Sequence, residues 1–80
     1  MEPTVRVSIA GMAFTLEQDA YQRVDDYLQA LRAHFSNKPD ADEIIADIES
    51  RMSELFQMRS KSYNVVTLSD VQEIISIMGN

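Results

Sequence analysis

The residues best suited to chemistry in this chain are acidic. Asp40, Asp42 and Glu43 form the densest group. A calcium loop needs oxygen ligands at alternating positions and a glycine at the sixth. Counted from Asp40, the fifth and sixth positions are Ile44 and Ile45, so the pattern fails and a helix cap with first-turn acids is the simpler reading. Asp47, Glu49 and Glu54 could be imagined as an acid/base set, but they fall on one long amphipathic stretch without a second titratable cluster, as on a solvated helix face. His34 is the sole histidine, and no nucleophile or carboxylate is singled out as its partner. Its place near a helix C-terminus suits the helix dipole. Tyr21, Tyr27, Phe35 and Phe56 are spaced for packing, whereas a base-stacking platform would interleave them with Arg and Lys. Met52, Met58 and Met78 fall on or beside apolar stripes and read as core fillers, with a Met-lined groove for a partner helix as the alternative. No catalytic, cofactor-binding or metal-ligating residue is assigned, no cofactor is implied, and the chain reads as a non-enzyme.

A small acidic domain could also carry a phosphopantetheine arm. That arm is attached to a serine opening a helix in an Asp-Ser-Leu context. Here Glu49-Ser50-Arg51 lies mid-helix and Leu68-Ser69-Asp70 has the wrong order, so the carrier reading is rejected.

The frame that must position these residues is small. Eighty residues allow one domain and exclude a catalytic cleft between domains. The composition is 45% hydrophobic and 25% charged, with two Gly and two Pro, which suits a folded core rather than disorder. The chain has no cysteine, hence no disulfide and no thiolate zinc site, and it fits a reducing compartment. A net charge of −6 argues against binding a phosphate backbone. Met1 to Arg6 lacks the pattern of a signal peptide, and no segment nears the roughly 20 apolar residues of a spanning helix. The chain as given therefore reads as soluble.

Val5, Val7 and Ile9 alternate with Thr4, Arg6 and Ser8, the pattern of a half-buried strand. Gly11-Met12 reads as a two-residue type II′ turn into a short second strand at Ala13–Thr15. Thr15-Leu16-Glu17-Gln18 has the form of a capping box, and Leu16, Ala20, Val24, Tyr27, Leu28, Leu31 and Phe35 follow at helical spacing. Helix one is expected from about Leu16 to His34. After a Ser36–Pro39 loop, Asp40 caps helix two, which carries Ile44, Ile45, Ile48, Met52, Leu55 and Phe56 on one stripe and ends near Met58 or Arg59. Asp47 and Arg51 are spaced to pair. Arg59–Asn64 reads as a polar loop and Val65-Val66 as a very short strand joining the hairpin. Thr67 caps a third helix, with Val71, Ile74, Ile75 and Met78 inward and Gly79 at its end.

The expected fold is α+β: an N-terminal β-hairpin, two long antiparallel helices, a short third strand and a C-terminal helix. The expected core is Val5, Val7, Ile9, Phe14, Ala20, Val24, Leu28, Leu31, Phe35, Ile44, Ile45, Ile48, Met52, Leu55, Phe56, Val71, Ile74, Ile75 and Met78.

One stretch is distinctive: His34-Phe35-Ser36-Asn37, then Asp42 through Phe56 (DEIIADIESRMSELF). With Val5–Gly11, Phe14, Val65–Val71, Ile74-Ile75 and Met78-Gly79, it resembles the N-terminal cytoplasmic region of PspC-domain membrane proteins of Bacteroidetes. The resemblance spans nearly all of the chain, and the helix-two run is its most specific part. It implies that residues 1–80 are one small domain at the N-terminus of a longer membrane protein, on the cytoplasmic side of the inner membrane. The membrane would be reached only through a segment absent from this chain. It further implies a place in an envelope-stress response, with the label of a transcriptional regulator attached to the PspC portion. It brings no catalytic residues.

The expected function is thus a non-enzymatic protein-interaction or sensory module. Its partner is another protein or a second copy, since an exposed hairpin edge can pair across a two-fold axis. The alternative is a DNA-binding regulator domain. It is disfavoured by the acidity, by a helix without Arg or Lys after Thr67, and by a 59–67 connection longer than a helix-turn-helix allows.

Overall fold

The computed structural model describes residues 3–59 and 65–79. The elements run β1 (Thr4–Ile9), β2 (Met12–Glu17), α1 (Gln18–His34), α2 (Ala41–Arg59), β3 (Val65–Val66) and α3 (Leu68–Met78). This is the expected α+β architecture, with β3 joining the hairpin. The expected loop at Ser60–Asn64 lies outside the described residues.

The sheet is mixed, with strand order β1-β2-β3. β1 and β2 are antiparallel, with Val5 opposite Leu16, Val7 opposite Phe14 and Ile9 opposite Met12. β2 and β3 are parallel, with Leu16 opposite Val66. Alternation therefore puts Val5, Val7, Ile9, Met12, Phe14, Leu16 and Val66 on one face, and Thr4, Arg6, Ser8, Ala13, Thr15 and Glu17 on the other.

The hairpin turn is Ala10-Gly11, one residue earlier than expected. Both residues have positive φ, 53° and 82°. That is the signature of a type I′ turn rather than II′. The Ile9–Met12 pair places the loop there; this register sets Val5, Val7 and Ile9 opposite Leu16, Phe14 and Met12, whereas a Gly11-Met12 loop would set Val5 opposite Gln18.

The start of α1 also differs from expectation. Thr15 and Leu16 belong to β2, the helix begins at Gln18, and Glu17 precedes it without a side-chain capping bond. The Thr15–Gln18 capping box does not form. Leu16 is the reason: it is the centre of a three-stranded ladder, between Val5 and Val66, and 0% exposed. Burying that side chain outweighs the roughly 1 kcal/mol a cap provides. The Gln18 amide is satisfied instead by the Pro3 carbonyl at 3.1 Å. The same local pattern at Val66-Thr67-Leu68 does make a capping box. There Thr67 Oγ1 accepts from the Asp70 amide at 3.2 Å, and the Asp70 carboxylate accepts from the Thr67 amide at 3.0 Å.

The core is one cluster of Ile9, Phe14, Leu16, Ala20, Val24, Tyr27, Met52, Leu55, Phe56, Val66, Val71, Ile74 and Ile75. Phe14 and Phe56 meet edge to face with centroids 5.3 Å apart. Leu16, Tyr27 and Val66 are additions to the expected set. Val5, Val7, Leu28, Leu31, Phe35, Ile44, Ile48 and Met78 are only half-buried. The edge position of β1 accounts for Val5 and Val7. For the residues near the 35–40 connection the reason is length. At 1.5 Å per residue α3 spans about 16 Å, against about 26 Å for α1 and about 28 Å for α2. The sheet and α3 cover one end of the long helices, and the other end reaches outward along the 42 Å axis of the molecule. There Ile45 is buried apart from the main cluster.

Candidate functional site

The residues with chemical potential are dispersed by the fold. Asp40 stands immediately before α2, its carbonyl accepting from the Ile44 amide at 3.0 Å, and Asp42 and Glu43 occupy the first turn. All three acids are exposed. Among the described residues no group of three or more His, Asp or Glu is placed to hold a metal ion. His34 is exposed and its ring lies edge-on to Phe35, centroids 4.8 Å apart.

The acids further along α2, Asp47, Glu49 and Glu54, do not act together. Glu49 accepts from Arg32 of α1 at 3.0 Å and ties the two long helices together. Glu54 lies 3.9 Å from Arg51. Arg51 thus turns toward the i+3 acid, and the expected Asp47–Arg51 pair does not form. Asp47 is exposed.

Tyr27 and Phe56 are buried, while Tyr21 and Phe35 are half-buried. Met52 is buried, as read from its stripe. Met58 is not: it is 67% exposed, since at about 100° per residue it lies about 120° around α2 from Met52. Met12 and Ile77 are the other large apolar side chains standing in solvent among the described residues.

Two features had no sequence signal. Arg59, at the end of α2, bonds Glu73 and lies 4.0 Å from Asp70, so it fastens α3 beside α2. Arg59 lies on α2 and its partners on α3, with β3 between, so no i,i+3 or i,i+4 spacing marks the contact. Second, an open depression of about 650 Å³ lies between the starts of α1 and α3, with Gln18, Gln22, Arg23 and Asp26 on one side and Leu68 and Gln72 on the other. A smaller hollow of about 250 Å³ continues past Arg23 and Gln72 to Ile75 and Ser76. Amide groups and charges of both signs line this groove, so it offers hydrogen bonds to solvent and no single charge preference.

The exposed face of α3 carries Ser69, Gln72, Glu73, Ser76 and Ile77, with no Arg or Lys. The remaining surface with defined chemistry is the free edge of β1. Among the described residues the sheet ends there, and Thr4, Arg6 and Ser8 are exposed along it.

These features define a small α+β fold. No family model, curated protein or solved structure matches the chain.

Proposed function

We propose that this domain is a non-enzymatic protein-interaction or sensory module of an envelope-stress membrane regulator. It acts on the cytoplasmic side of the inner membrane, joined to it through a segment outside these residues. The resemblance of the Asp42–Phe56 run to PspC-domain proteins supplies the context. The observation that supports an interaction role is the open β1 edge, a row of free backbone donors and acceptors suited to a protein partner. The acidic balance favours a protein partner over a nucleic acid.

The test is fractionation of the full-length protein together with affinity capture on the isolated domain. Sedimentation with membranes and retention of a protein partner, or of the domain itself, are expected. A full-length protein that stays in the soluble fraction and retains no partner defeats the reading. Salt-dependent retardation of duplex DNA would favour the regulator alternative instead.

A further inference from the structure

The phase of the hairpin determines which groups of β1 face outward. A two-residue loop makes Ile9 and Met12 a hydrogen-bonded pair, and such pairs recur at every second residue. Val7 and Val5 therefore bond to β2, while the amides and carbonyls of Thr4, Arg6 and Ser8 point away from the sheet. The 3.1 Å bond from the Gln18 amide to the Pro3 carbonyl continues the same phase.

Antiparallel pairing of this edge with a second copy must match outward residues with outward residues. Only two registers overlap five residues of the six-residue strand. One sets Arg6 directly opposite its own symmetry mate, a like-charge contact that destabilises a ladder. The other sets Arg6 opposite Ser8 of the second copy, Val5 opposite Ile9, and Val7 opposite Val7 on the two-fold axis. Both registers set the half-buried Val5 and Val7 against apolar partners, so the Arg6 contact decides between them. The strand is self-complementary in this one arrangement.

We infer that the free edge of β1 pairs with β1 of a second copy, in the register centred on Val7, to make a continuous six-stranded sheet. The inference deepens the interaction reading above by naming the partner. A five-residue ladder is small beside a standard interface of about 1,600 Å², so a weak, reversible dimer is expected.

The experiment uses the absence of cysteine from the chain. Val7→Cys places two thiols across the axis in a non-hydrogen-bonded pair, with Cα atoms about 4.5 Å apart, within disulfide reach. Val5→Cys places its two thiols four residues out of step, about 13 Å along the strand. Mild oxidation is expected to give a covalent dimer with Val7→Cys and not with Val5→Cys. Sedimentation from about 10 µM to about 1 mM, a range suited to a small interface, is expected to show a dimer that Ser8→Pro weakens at least tenfold. The proline removes an outward amide and leaves the β1–β2 bonds intact, so circular dichroism is expected to stay unchanged. A chain that is monomeric throughout with no Val7→Cys crosslink overturns the inference, as does a dimer that Ser8→Pro leaves intact. Neither of those results touches capture of a different protein, so the self-pairing and the broader interaction role fail separately.

Discussion

Leu16 and Leu68 occupy the same place in two matching local patterns, Phe14-Thr15-Leu16-Glu17 and Val66-Thr67-Leu68-Ser69, yet the fold treats them oppositely. Leu16 is the sealed centre of the sheet at 0% exposure, and Leu68 is the half-buried first residue of α3. Truncating Leu16 to Ala removes three carbons, about 2.4 kcal/mol at ~0.8 kcal/mol per carbon. A site closed on both sides by Val5 and Val66 collapses little, so the cavity raises the loss to about 3–4 kcal/mol. Leu68→Ala loses about half the transfer term and gains slightly from the helix propensity of Ala, for about 1 kcal/mol. An 80-residue domain has roughly 4–12 kcal/mol of stability in total, so the first variant should be near the edge of folding and the second not. Urea denaturation followed by far-UV circular dichroism reads both. Equal losses, or a Leu16→Ala loss below about 1 kcal/mol, would refute the placement of Leu16 in the sheet, since that is the cost of a half-exposed first helical turn.

Thr67→Ala should cost about 1 kcal/mol by removing the capping bond to the Asp70 amide, and Thr67→Ser should restore most of it; urea midpoints decide. Ala10 holds φ 53° beside Gly11, so Ala10→Asn should raise stability by about 0.5–1 kcal/mol, with a loss instead indicating that the turn is not type I′. Arg59→Ala should cost less than about 1 kcal/mol, and the loss should shrink as salt is added, because its partners Asp70 and Glu73 are partly solvated. A double-mutant cycle of Arg59→Ala with Glu73→Gln should show coupling of a few tenths of a kcal/mol.

Periodicity determined much of this protein from sequence alone. The alternation of β1, the stripes of α2 and α3, the Thr67 cap and the extended Val65-Val66 all arise from interactions within a few residues or from side-chain pattern. The dispersal of His34 and the acids over solvated helix faces was equally legible, because none shows a spacing that chemistry requires. The tertiary structure decided what depends on distant partners. Thr15-Leu16 is an excellent helix start until Val66, fifty residues on, gives Leu16 a second strand neighbour. Leu31, Phe35, Ile44 and Ile48 fit a core stripe, but only the lengths of α3 and the sheet determine how far along the long helices a core extends. Arg59 met Glu73 only once α3 was laid beside α2. Local sequence specifies which face of an element is apolar; the burial of that face is set by what the rest of the chain can reach.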